Sequence, residues 1–373
     1  MRTITRLQSA SISHKLRSER STSKGIPTRK TRDRGATDGA TLKRNTGCAN
    51  SVRNHTMAAL PKAPTFKRAT KTEAAIDAAI EADGGNRFRE LLEYHLPRIA
   101  DAYRKDEEAD NFRSHLGASQ IGKECDRALW YGWRWSYTRF FKARILRLFN
   151  RGHQEEARFL AMLDMIGVIF HQPDDGKQER ISDHGGHFGS ALDGVLWNVP
   201  DCPDEWVLGE FKSHNTKSFC ELIVKGVQVS KPEHYAQVQT CMARRGIYRT
   251  LYVASNKNDD DVFAQVIDYD GRSADSYLSR AGNIIVAREP PKRISEDPSN
   301  FKCGICDAKQ ICHFPSIAPK LKNCRTCRHS LADIATGTWY CEHLERVLDK
   351  EDQLAGCGKH DPIPALVERE RRA

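Results

Sequence analysis

Asp193, Glu210 and Lys212 are the residues of this 373-residue chain whose types and spacing could do chemistry together. They sit in LDGVLWNVPDCPDEWVLGEFK, residues 192–212, which reads as two β-rich runs punctuated by Pro, Asp and Pro. Side chains alternate across a strand, so Glu210 and Lys212 share one face with Trp206 and Leu208. A hairpin symmetric about residues 202 and 203 sets Asp193 opposite Lys212 and diagonal to Glu210; a slip of one residue would turn Asp193 to the far face. In the first register two carboxylates and one ammonium converge. Carboxylates that close repel, and burying both ionised is costly unless a cation neutralises them. A hard divalent cation does so, and Mg²⁺ takes one or two carboxylates while keeping waters and phosphate oxygens. The lysine then has a task, to hydrogen-bond an attacking water or to stabilise charge that develops on a phosphorane.

The flanking sequence supplies elements to hold this hairpin. Residues 73–107 read as helix broken near Gly84 and Gly85, and 117–135 as an aromatic-rich helix capped by Ser119. A third helix over about 144–167 places Phe149, His153, Glu156, Leu160 and Leu163 on one stripe. Residues 231–246 read as a helix starting near Pro232 and stopping at Gly246, and 250–270 as a strand pair around an Asn/Asp turn. The predicted fold class is α/β, with a partly mixed central sheet flanked by helices.

Asp193 followed by Glu210-Phe-Lys212 across a hairpin resembles the signature of the PD-(D/E)XK nuclease superfamily, whose fold is restriction-endonuclease-like. Alone that pattern is common, and exposed Glu/Lys pairs usually form solvated strand faces. Two further stretches narrow the resemblance: RGHQEEARFL before it and PEHYAQVQTCM after it are similar to the histidine and glutamine motifs of RecB-like exonucleases, especially those of bacteriophages. The resemblance implies that His153 is a metal ligand or metal-side residue, Asp193 and Glu210 the Mg²⁺ or Mn²⁺ carboxylates, Lys212 the catalytic lysine and Gln237 a substrate-positioning residue. Glu156 is a weaker carry-over, favoured over Glu155 by the helical stripe. Many relatives carry a tyrosine four residues after the glutamine, where this chain has Cys241.

Twelve cysteines in a chain without an export signal argue for metal rather than disulfides. In RecB-like nucleases with an iron-sulfur cluster, one cysteine precedes the nuclease motifs and a C-x2-C-x5-C run follows them. Cys125 with Cys303, Cys306 and Cys312 is similar in order and spacing, which implies a 4Fe-4S cluster closing a very long loop. Cys324, Cys327, Cys341 and Cys357 give C-x2-C-x13-C-x15-C, adequate for tetrahedral Zn, with His343 and His360 close enough to substitute. A rival grouping of Cys303, Cys306, Cys324 and Cys327 has zinc-ribbon spacing, but the two-site scheme accounts for eight thiols instead of four. Cys48, Cys202, Cys220 and Cys241 are left unliganded.

The formal charge of +10 resides in residues 1–56, which hold 13 Lys or Arg and 3 Asp or Glu; the rest has 46 of each. That segment, poor in large apolar residues, is expected to be disordered, and reads as a basic arm holding phosphates, an Arg- and Ser-rich transit peptide, or sequence upstream of a true start at Met57, the last being favoured. The organisation expected is a basic segment over 1–72, a nuclease domain over 73–315 and a cysteine-rich zinc-binding tail over 316–373. No apolar run is long enough to cross a bilayer, so a cytoplasmic setting follows, the host cytoplasm for a phage-encoded protein. The expected function is a metal-dependent DNA exonuclease in end processing, recombination or repair. DNA is its partner, and a single-strand annealing or recombination protein a further one. Rivals are a sequence- or structure-specific endonuclease and a non-catalytic DNA-binding protein. Arg244, Arg245 and Arg249, and the basic-aromatic stretch 134–147, are the candidates for phosphate contact.

Overall fold

The computed structural model describes residues 66–104, 112–171 and 178–368, so most of the basic segment 1–72, and Cys48, lie outside the described residues. The described chain opens with α1 (Thr70–Ala82) and α2 (Asn86–Arg104), parted at Gly84 and Gly85, both at positive φ. The aromatic segment departs from the single helix expected. It forms α3 (Ala118–Ile121), with Gly117 rather than Ser119 at the cap, and α4 (Asp126–Trp133), which starts after Cys125. The break has a tertiary cause, because a Cβ on Gly122 would lie 2.5 Å from Glu233 Cα. Helix α5 (Ala143–Met165) buries Glu155, Ala157, Phe159, Met162 and Leu163. The stripe read from the sequence is thus one residue out of phase: Phe149 is exposed, and Glu155 rather than Glu156 turns inward.

Among the described residues, nine strands precede the cysteine-rich stretch: β1 (Lys67–Arg68), β2 (Leu116–Gly117), β3 (Ile169–Phe170), β4 (Arg180–Asp183), β5 (Phe188–Ala191), β6 (Gly194–Val199), β7 (Cys202–His214), β8 (Arg249–Asn256) and β9 (Val262–Asp268). A six-stranded mixed sheet has the order β1-β9-β8-β7-β6-β3, in which β7 and β8 run parallel and every other pair antiparallel. The β2, β5 and β4 strands form a separate three-stranded sheet. Parallel strands need a crossover. Here it is α6 (Thr216–Ser230) and α7 (Pro232–Arg245), and α8 (Gly271–Val286) follows β9. The bounds of α7 are those read from the sequence: Pro232 supplies a first turn that needs no N–H donor, and Gly246 ends the helix in the left-handed region at φ 70°.

Alternation along β7 sends successive side chains to opposite cores. Phe211 joins Leu196, Val207, Leu251 and Val253 on the face covered by α5, where it stacks on Phe159 with centroids 5.4 Å apart. Leu208 and, on β8, Tyr252 belong to the core shared with Val238 and Met242 of α7 and with Leu278 of α8. Burial of each such apolar side chain is worth about 1.5–3 kcal/mol. Among the described residues no helix is long and apolar enough to cross a membrane.

The cysteine-rich C-terminal stretch builds a third sheet, wholly antiparallel, of β10 (Ser330–Asp333), β11 (Thr338–Cys341) and β12 (Arg346–Leu348). Its Trp339 packs against Trp133 of α4 at 5.2 Å between centroids. Arg325 lies against both rings and that of Trp135. Its guanidinium lies 3.7 Å from the ring centre of Trp135, 4.4 Å from that of Trp133 and 4.6 Å from that of Trp339. It donates to Gln353 Oε1 at 2.9 Å and to the carbonyls of Trp133 and Ser114 at 3.1 and 3.0 Å.

Candidate active site

The β6–β7 hairpin turns at Pro200 and Asp201, with Val199 opposite Cys202 and a register irregularity between Trp197 and Val199, where Asn198 has φ 65°. The turn is therefore tighter than symmetry about 202 and 203 requires. Beyond the irregularity Gly194 faces Gly209, and one more step sets Asp193 opposite Glu210, with Lys212 diagonal. This corrects the expected register by two residues; an even shift leaves every side chain on its original face. Asp201 at the turn accepts from the backbone N and hydroxyl of Thr72 at 2.7 and 2.8 Å, tying the hairpin tip to the start of α1.

Asp193, Glu210, Lys212 and Gln237 are brought together. The Asp193 carboxylate accepts from the Phe211 backbone N at 2.9 Å and lies 3.5 Å from Lys212 Nζ. Lys212 is ion-paired with Glu210 and donates to the Phe211 carbonyl at 3.2 Å. From α7, Gln237 Nε2 donates to the second Glu210 oxygen at 3.1 Å. Glu210 is only 4% exposed. Burial, opposed by Lys212 and reinforced by the Asp193 charge, raises its pKa to about 7. Burial works against the Lys212 ammonium, but the Asp193 and Glu210 carboxylates outweigh it and hold its pKa well above the usual lysine range. Two carboxylates against one ammonium leave the cluster one positive charge short, which is the electrostatic fit a divalent cation needs.

The elevated Glu210 pKa carries a stability consequence with a definite sign. The folded value exceeds the ordinary 4.5, so ionising Glu210 opposes folding above that pH, and the cost disappears once both states are protonated. Glu210→Gln is therefore expected to stabilise the metal-free protein at pH 8 by about 1–2 kcal/mol and to have no such effect near pH 4. Denaturant melts at the two pH values check this; an equal effect at both would contradict it.

The other residues singled out from sequence are placed as follows. His153 is half-buried on α5, and burial lowers its pKa. Glu155 is tied to the sheet, accepting from Ser255 Oγ at 2.8 Å. Cys241 is buried, and burial followed by the Glu210 and Asp193 charges pushes its thiol pKa up. Three residues that the sequence reading passed over complete this side. Tyr252 is registered with Glu210 on β8, and its hydroxyl meets His214 Nε2 at 3.1 Å and His234 Nδ1 at 2.8 Å. Two signals pointed to the histidines: His214 continues the 210, 212 alternation, and His234 lies one helical turn before Gln237.

The basic candidates divide. Arg244 pairs with Asp183 at 2.7 Å, Arg245 with Glu179, and Arg249 with Glu205 and Asp268, so these three are neutralised locally. Arg134 is buried, donating to the Ser330 and Ala287 carbonyls. Phe140, Lys142, Arg144 and Arg147 are exposed.

Cys125, Cys303, Cys306 and Cys312 line one cavity, and Cys324, Cys327, Cys341 and Cys357 line a second with His329, His343 and His360. Burial, reinforced by neighbouring thiols, raises the pKa values of Cys303 and Cys324, the latter to about 11, while burial raises that of Cys312 against the opposing charges of Arg127 and Arg293. The donor chemistry fits thiophilic metal. As placed, no three His, Cys, Asp or Glu side chains among the described residues are gathered tightly enough to hold an ion.

No family model and no curated protein matches the chain. Among solved structures it is similar to LHK-Exo in complex with dAMP, at 20% identity over 52% of this chain and 89% of that one, with a TM-score of 0.34. LHK-Exo, an alkaline exonuclease from Laribacter hongkongensis, matches in a second structure at 22% identity, over 48% and 88%, with TM-score 0.34. SSO0001 matches at 11% identity, over 59% and 95%, with TM-score 0.33. Likeness at this level assigns no activity.

Proposed function

We propose that this chain is a metal-dependent DNA exonuclease of the PD-(D/E)XK superfamily, of the RecB-like, phage-encoded type. The observation that carries the reading is the convergence of Asp193, Glu210 and Lys212, with Gln237 bonded to Glu210, on one face of a mixed sheet. Asp193 and Glu210 would hold Mg²⁺ or Mn²⁺, with His153 as a further ligand, and the ion would supply the positive charge that phosphodiester hydrolysis needs. Lys212 orients water and stabilises charge building on the phosphate, and Gln237 fixes the Glu210 carboxylate. The exposed Phe140, Lys142, Arg144 and Arg147 offer stacking and phosphate contacts for DNA. The test is digestion of linear against closed circular duplex with Mg²⁺ or Mn²⁺. Release of mononucleotides or short oligonucleotides from linear DNA alone supports the exonuclease, cleavage of both substrates an endonuclease, and cleavage of neither a binding protein.

Within the same reading, Cys125, Cys303, Cys306 and Cys312 hold a 4Fe-4S cluster and Cys324, Cys327, Cys341 and Cys357 a structural Zn²⁺, with His343 or His360 as substitutes. Support comes from the two shared cavities. Protein purified without oxygen is expected to be brown, with broad absorption near ~400 nm lost in Cys125→Ser. A colourless protein with stoichiometric zinc only would remove the cluster.

A further inference from the structure

We propose that Tyr252, held between His214 and His234, is a positioning residue for Lys212, an inference that rests on the nuclease reading of the site. The three side chains form one string. Ser218 Oγ lies 3.3 Å from His214 Nδ1, the other ring nitrogen of His214 meets the Tyr252 hydroxyl, and that hydroxyl meets His234 Nδ1. A phenol has one proton to give and room to accept, so it satisfies both rings when one imidazole donates to it and the other accepts from it. Run from Ser218, the string satisfies every group with both imidazoles neutral; run from His234, it requires His214 to be neutral and His234 to donate from Nδ1, and burial of both rings disfavours their charged forms.

Neutrality is what Lys212 requires of its surroundings. Tyr252 stands in register with Glu210, and His214 lies two residues beyond Lys212 on the same face of β7, so the string flanks the ammonium on the side away from Asp193. The two rings stack at 5.8 Å between centroids, and His234 stacks on Tyr252 at 5.9 Å. Burial, with Lys212 and Lys231 adding their charge, lowers the pKa of His214 to about 4 and of His234 to about 3. The string thus walls one side of the pocket with uncharged, mutually locked rings. The carboxylates of Asp193 and Glu210 remain to draw the ammonium toward the phosphate position.

The full-length metal-loaded protein tests this by steady-state cleavage of end-labelled linear DNA. Tyr252→Phe is expected to lower kcat about tenfold with KM changed less than about twofold, because one hydroxyl that orders the pocket is lost and no DNA contact is. The histidine arm is atom-specific. Asn places a polar atom where Nδ1 of histidine lies, and Gln where Nε2 lies. His234→Asn and His214→Gln are therefore expected to rescue most of the turnover that His234→Gln and His214→Asn lose. Equal loss in all four, or Tyr252→Phe with the parent's kcat, overturns the proposal. If the parent protein cleaves no DNA, the nuclease reading fails on its own, and the positioning is read from Lys212 directly. Reductive methylation followed by mass spectrometry is expected to label Lys212 several-fold faster in Tyr252→Phe; an unchanged rate overturns it.

Discussion

Lys212→Ala is expected to reduce kcat for DNA cleavage by about 10²–10³-fold while leaving DNA affinity within a few-fold of the parent. The ammonium contacts both carboxylates and its side chain is 26% exposed, so it can act on charge that appears only as the phosphate is attacked. A group of that kind contributes to the transition state and little to ground-state binding. Arg is not expected to replace it, since the planar fork would contact Asp193 and Glu210 differently from a point charge. The measurement is single-turnover cleavage with DNA binding followed separately in Ca²⁺. A Lys212→Ala protein that cleaves as fast as the parent would remove the mechanism, and with it the central role given to the hairpin.

The second large effect concerns stability. Arg325→Ala is expected to cost about 3–4 kcal/mol, because it leaves two carbonyls and the Gln353 amide oxygen without their donor and opens a void among three indoles. Burial and then the Arg134 charge work against the Arg325 guanidinium, holding its pKa well below the usual arginine value, so these contacts must outweigh a real desolvation cost. Arg325→Lys is expected to be nearly as damaging, since an ammonium cannot reach both carbonyls and lie flat on the rings. Denaturant unfolding followed by tryptophan emission measures this, as Trp133, Trp135 and Trp339 report on the cage. A loss below about 1 kcal/mol would show that the guanidinium is dispensable there.

Asp193, Glu210 and Lys212 could be read from sequence because they depend on alternation along strands, which is local and strict. The register that relates them was two residues off, because the turn chemistry of Pro200 and Asp201 and the irregularity at Asn198 are not visible in a hydrophobic pattern. Helix α7 was legible at both ends for a local reason, its Pro232 and Gly246. The break between α3 and α4 was not, because Gly122 gives way to a neighbour more than a hundred residues away in sequence. The inward turn of Glu155 in place of Glu156 likewise depends on Ser255 across the sheet. Tyr252 was invisible for the same reason: its place beside Glu210 comes from a parallel pairing that no short window contains. The basic run at Arg244, Arg245 and Arg249 misled in the opposite sense, since its charges find acidic partners on other elements.

The parallel pairing of β7 with β8 also sets an order of events during synthesis. The hairpin bearing Asp193, Glu210 and Lys212 can form as soon as its own residues emerge, but the wall that Tyr252 supplies arrives only after α6 and α7 have carried the chain back. A nascent polypeptide that stops short of residue 249 holds both acids and the amine yet has no finished chamber around them.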